Sequence, residues 1–139
     1  MRRFIALAAL LLAPVVLSGC GSDSGIEEPG PSVVGTYALA SINGSPLPVT
    51  LIAGDPKLEV LSDEITFAPR GTFTQATSLR WTEGGVASTE SHVEIGTYTV
   101  SGSTLSFRFS SDNSTGSATV SGSGFAIVSD GSTLIYVRS

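Results

Sequence analysis

From Val33 onward, apolar and polar residues alternate with a period of two, the repeat of a strand that buries one face. In Leu105-Ser106-Phe107-Arg108-Phe109-Ser110, the residues Leu105, Phe107 and Phe109 point one way and Ser106, Arg108 and Ser110 the other. Phe73, Leu79 and Trp81 share a face with Arg80 opposite. Ile65 is in phase with Phe67, Phe125 with Ile127, and Leu134 with Tyr136. No helical period is present in this part of the chain. The pattern predicts strands over residues 34–42, 49–52, 58–68, 72–82, 86–100, 104–110, 116–121, 124–128 and 133–138. Asn43-Gly44, Gly54-Asp55-Pro56, Pro69-Arg70-Gly71, Glu83-Gly84-Gly85, Ser101-Gly102, Asp112-Asn113, Ser121-Gly122 and Asp130-Gly131 separate them. In several of these turns glycine supplies the positive φ of a short hairpin loop. One apolar face per strand and hairpin-length connections predict an all-β fold. The expected form is an antiparallel up-and-down barrel of about eight strands, closed so that no sheet edge is left open.

A short echo runs through the domain: Gly35-Thr36-Tyr37, Gly71-Thr72-Phe73 and Gly96-Thr97-Tyr98. Glycine permits a bend or bulge, and the aromatic two positions later returns to the buried face. The echo is expected to be a hairpin motif recurring around one barrel.

The chain before Val33 has a different character. Arg2 and Arg3 precede an apolar run, Phe4 to Val16, which is shorter than the roughly 20 residues a membrane-spanning helix needs. It has the layout of an export signal. The run ends in Leu17-Ser18-Gly19-Cys20, which resembles the bacterial lipoprotein signal. The resemblance implies a diacylglycerol thioether on the Cys20 sulfur, cleavage between Gly19 and Cys20, and acylation of the new amino group. A buried acyl CH₂ contributes about 0.8 kcal/mol, so one chain binds marginally and two or three hold stably. Gly21 stands where inner-membrane retention commonly places aspartate, so in a Gram-negative host the rule implies the outer membrane. Gly21 to Ser32 is small, acidic and Pro-containing, the composition of a flexible tether. The expected organisation is therefore a lipoprotein signal peptide over 1–19, a lipidated cysteine and linker over 20–32, and a barrel domain over 33–139. The expected location is the cell envelope, outside the cytoplasm and held by the Cys20 lipid.

Charge and cysteine content narrow the functions. After Cys20, Lys57, Arg70, Arg80, Arg108 and Arg138 stand against twelve acids, a net charge of −7. That balance disfavours nucleic acid and anionic lipid head groups. Cys20 is the only cysteine, so packing alone must hold the domain without a disulfide.

The segment Gly35-Thr36-Tyr37-Ala38-Leu39, continuing to Ile42-Asn43-Gly44-Ser45-Pro46-Leu47-Pro48, resembles the first strand of lipocalin-like domains, where a Gly-x-Trp motif starts the barrel. Leu134-Ile135-Tyr136-Val137-Arg138 is similar to the lipocalin closing strand, whose arginine packs over the first-strand aromatic. The resemblance spans residues 33–139 and implies a closure set of Gly35, Tyr37 and Arg138. Tyr37 stands in place of the family's Trp, no second or third family motif is evident, and no helical segment follows the last strand.

A barrel of this kind can enclose one small ligand. Its expected pocket is lined by Phe67, Phe73, Leu79, Trp81, Tyr98, Phe107 and Phe109. The same side chains equally suit a filled core, the reading that a short domain favours. Glu90, His92 and Glu94, at i, i+2 and i+4, share one strand face and form a weak candidate for a divalent metal. The alternative is a solvated polar row, and no second His or Cys completes a high-affinity site. His92 has no Ser or Cys partner in a nucleophile motif, and no phosphate-binding loop is present. The chain is thus expected to be a membrane-anchored module and not an enzyme, with no cofactor. The leading reading is binding of a small hydrophobic ligand. The alternative is contact with an envelope protein, as an accessory or protease-inhibitor-like barrel.

Overall fold

The alternation carries through to a structure made of strands, with no helix among the described residues. The computed structural model describes residues 32–139. The signal residues, Cys20 and the linker up to Pro31 lie outside the described residues. Ten strands follow in order: β1 (Gly35–Ile42), β2 (Ser45–Pro46), β3 (Val49–Ile52), β4 (Lys57–Phe67), β5 (Thr72–Glu83), β6 (Val86–Ser101), β7 (Thr104–Phe109), β8 (Thr115–Ser121), β9 (Gly124–Ser129) and β10 (Ser132–Arg138). Nine of these match the expected strands to within a residue or two. The two-residue β2 has too little alternation to be read in advance.

From β4 to β10 each strand pairs antiparallel with the next, and β10 pairs with β1. A further antiparallel ladder, Gly35–Ala38 against Glu64–Phe67, joins β1 to β4 and completes an eight-stranded up-and-down barrel. The two short strands lie outside the ring, β2 on β1 and β3 on β4.

Two bulges keep the right side chains inside. In β1 the register shifts between Leu39 and Ser41, so Tyr37, Leu39 and Ile42 all face inward. In β4 it shifts between Val60 and Ser62, which sets Val60 in phase with Asp63, Ile65 and Phe67 and turns Glu59 outward. An extra residue on one strand has this effect because side chains otherwise alternate strictly.

The two ends of the barrel differ. At one end, here the closed end, Phe67 is 2% exposed and contacts four rings. Their centroids lie 5.9 Å (Tyr37), 6.0 Å (Phe73), 4.8 Å (Tyr98) and 5.7 Å (Phe125) away. Edge-on pairs of this kind add about 0.5–1.5 kcal/mol each beyond their burial. The three echo aromatics, Tyr37, Phe73 and Tyr98, all take part. Tyr98 also donates its hydroxyl to the Ala68 carbonyl at 2.7 Å. The closure expected of Tyr37 and Arg138 is formed. The two residues are register partners, and the guanidinium carbon lies 5.3 Å from the ring centroid. Nη2 of Arg138 donates to the Tyr37 hydroxyl at 3.0 Å and to the Val34 carbonyl at 2.8 Å. Gly35, at φ 138°, has a backbone that a side chain rarely adopts, and the guanidinium lies over it. Val33, 3% exposed, completes the plug.

At the opposite end, the open end, the long β5–β6 hairpin rises beyond the ring. β7 pairs with β6 over Gly96–Ser101, and the Ser110 N–H donates to the Ile95 carbonyl at 2.9 Å, so among the described residues positions 86–94 of β6 pair with β5 alone.

Candidate functional site

Along β4 the inward row runs Phe67, Ile65, Asp63, placing a carboxylate where alternation calls for an apolar side chain. Asp63 is 5% exposed. An isolated buried carboxylate is costly, and hydrogen bonds offset the loss of water. Here Tyr136 Oη donates to Oδ1 at 2.9 Å, while Gln75 Nε2 (2.8 Å) and the Thr77 hydroxyl donate to Oδ2. All three donors are neutral.

The position of this cluster explains its residue types. β1 and β4 pair only as far as Ala38 and Glu64, and beyond that point β1 turns away to meet β2. Asp63 is the first inward residue past the parting. Tyr136, two strands away on β10, reaches across the gap and ties the wall together. Its ring stacks on Phe125 with centroids 4.7 Å apart. Burial first, and then the negative charge and hydrogen bond of Asp63, hold the Tyr136 phenol well above its ordinary range. It therefore stays a proton donor. Burial raises the Tyr98 phenol as well, with Tyr37 contributing.

Beside this cluster a cavity of about 400 Å³ opens toward the β5–β6 end. Phe67, Phe73, Phe107, Phe109, Phe125 and Tyr136 supply its rings, Ile65, Ile127 and Leu134 its aliphatic wall, and Gln75 its polar contact with the Asp63 cluster. Glycine makes the rings fit. A Cβ on Gly96 would lie 2.5 Å from the Phe73 ring, and one on Gly116 2.5 Å from the Phe107 ring. Both phenylalanines thus lie flat against backbone and leave the centre of the barrel free. The volume falls in the range of small-molecule sites, which are mostly apolar with a few placed polar groups.

The expected pocket residues divide between two places. Phe67, Phe73, Phe107 and Phe109 line the cavity. Tyr98 belongs to the closed-end cluster. Trp81 lines a separate hollow on the inner face of the hairpin, with Glu83, Val86, Ser88 and Glu90. Leu79, in register with Val60 and Glu90, is half-buried below that hollow.

Glu90, His92 and Glu94 do share one face. It is the inner face of the hairpin, opposite Leu79, Thr77 and Gln75. His92 Nε2 lies 3.6 Å from a Glu90 oxygen with both side chains more than half exposed. No group of three His, Cys, Asp or Glu side chains among the described residues is placed to hold a metal ion. The three form a solvated row above the mouth, and Ser111 donates to Glu94 at 3.3 Å.

The outer wall carries its own charge cluster. Lys57 (2.9 Å) and Arg80 (2.8 Å) pair with Glu59. Their hydrogen bonds hold the Glu59 carboxyl below its usual range. This is a thin lid of side chains over an outward-facing residue, and it has no access to the lumen.

Asp63 was the residue that residue patterns missed. Its signal was an acid inside a strictly alternating apolar row. Comparison with protein-family models, with curated proteins and with solved structures finds no match to the chain.

Proposed function

We propose that this protein is an envelope lipoprotein, anchored through Cys20, whose barrel holds a small hydrophobic molecule in its open end. One observation carries the binding part of this reading: a ring-lined cavity of about 400 Å³ inside a closed eight-stranded wall, with Gly96 and Gly116 keeping its centre clear. Among the described residues every strand and the buried core lie between Val33 and Arg138, and these together close the barrel. The resemblance of Leu17-Ser18-Gly19-Cys20 to the bacterial lipoprotein signal supports the anchoring part.

A direct test uses the segment from Ser32 and the neutral apolar dye N-phenyl-1-naphthylamine. Saturable fluorescence enhancement at one site per chain is expected. Phe107→Trp, which adds bulk at the cavity wall, should weaken it by about tenfold, a loss of about 1.4 kcal/mol. Failure to saturate would remove the ligand reading. For the anchor, Cys20→Ser in the full chain should move the protein from the membrane to the soluble fraction. Unchanged membrane retention would remove it.

The second reading, contact with an envelope protein, is favoured by the free edge of β6. Among the described residues, positions 86–94 have no strand neighbour on that side, and Val93 within this stretch is 68% exposed. Such an edge can accept an extended segment as an added strand.

A further inference from the structure

Every charge that faces the open end of the lumen is negative, apart from the titratable His92. Asp63 lies behind the cavity wall, on the open-end side of Ile65, covered by Gln75 and Tyr136, which line the cavity. Glu94, Glu90 and Glu83 continue inward-facing up the hairpin, in register with Gln75, Leu79 and Val86 of the opposite strand. Asp112 and Asp130 occupy the β7–β8 and β9–β10 turns at the same end. The cations are all elsewhere. Lys57 and Arg80 engage Glu59 on the outer wall. Arg108 alternates outward beside Phe107. Arg70 and Arg138 belong to the closed end. An inward lysine or arginine, which would receive a fatty-acid carboxylate, does not occur among the described residues.

We infer that the lumen selects an organic cation, an amphiphile with an apolar tail and an amine or quaternary ammonium head, over the corresponding acid. The inference rests on the ligand-binding reading and adds the class of molecule. Three features act together. Asp63 has only neutral partners, so its charge remains uncompensated inside low-dielectric walls, where charge interactions are less screened than in water. The ring faces of the cavity attract a cation through their quadrupoles. The acids along the approach raise the local concentration of cations and repel anions. A carboxylate head would meet a second negative charge with no cationic side chain facing it, and Gln75, Thr77 and Tyr136 each already donate to Asp63.

The test separates this inference from the reading beneath it. On the segment from Ser32 at neutral pH, bound N-phenyl-1-naphthylamine is displaced in turn by decylamine, decanol and decanoate. Decylamine is expected to displace at a concentration about tenfold below that of decanoate, about 1.4 kcal/mol in preference, with decanol between them. Asp63→Asn should cut the gap by at least about threefold. Where that variant does not fold, carboxyl-carbon NMR of the unaltered protein takes its place. The Asp63 signal should move on adding decylamine and stay in place with decanol. If the dye binds and decanoate displaces it as well as decylamine does, the cation preference is overturned and ligand binding stands. If the gap survives Asp63→Asn, or the Asp63 signal ignores bound amine, the assignment to Asp63 is overturned. If the dye does not bind, both fall.

Discussion

The closed and open ends of the barrel are built from the same strands, yet only one is packed shut. At the closed end the inward positions hold mainly rings and aliphatic side chains. Leu105 and Phe67 are almost wholly inaccessible, and Arg138 lies across the opening. Toward the open end the same strands change chemistry while keeping their alternation. On β5 the inward row passes from Phe73 to Gln75 and Thr77, and on β6 from Tyr98 and Gly96 to Glu94, His92 and Glu90. Polar residues at inward positions break the local rule for a core. The difference shows that stability is concentrated at one end, which frees the other to remain hollow.

The largest effect that would test this contrast is on stability. Phe67→Ala removes the ring that four others contact and should cost about 3–5 kcal/mol. Phe109→Ala, at the half-buried rim, should cost clearly less, and urea unfolding measures both. Equal losses would mean that the open end is packed as firmly as the closed one.

A middle-sized effect probes the seam between them. Tyr136→Phe keeps the ring but leaves Asp63 with one donor fewer, at a cost of about 1–3 kcal/mol. The phenol also links stability to pH. Its folded-state pKa is raised, so the unfolded chain loses this proton first as pH climbs past about 10. Stability should therefore be full below that pH and fall above it. Tyr136→Phe should flatten the alkaline decline, leaving the smaller part due to Tyr98. A decline of unchanged steepness would show that Tyr136 is not the group responsible.

The smallest effect is expected on the β5–β6 hairpin. Backbone amides facing the unpaired edge of β6, such as that of Val93, should exchange with solvent far faster than those of β10. His92→Ala should change stability by no more than about 0.5 kcal/mol. Slow exchange along this edge would mean that something covers it, and would favour the protein-contact reading.

Much of the fold was legible because alternation and turn chemistry agree along the chain. Leu105, Phe107 and Phe109, set between Ser103 and Ser110, fix both the strand and its inward face. Tyr37 and Arg138 were legible through resemblance, and they meet at the closure. What escaped depends on contacts distant in sequence. The bulge after Val60 resets the inward phase, and it exists because β3 and β5 pair with β4 in registers that no local pattern encodes. Asp63 takes its meaning from Tyr136, 73 residues away. The cavity is set by rings lying against Gly96 and Gly116, a cross-strand arrangement in which Gly96 faces Phe109 and Gly116 faces Phe107. The row of Glu90, His92 and Glu94 was seen as one face, but which side of the barrel it borders follows only from its pairing with β5.

Val33 and Arg138 leave the barrel at the same end, the plugged one. On the proposed anchoring, the molecule is a cup held by its base. The mouth then lies at the end of the barrel opposite the one that the proposed anchor reaches. On this arrangement a molecule dissolved in the bilayer that carries the lipid reaches the mouth by first entering water or by hand-over from another protein. Such geometry suits capture of amphiphiles that exist as free monomers, and it makes the rate of loading follow their concentration in solution.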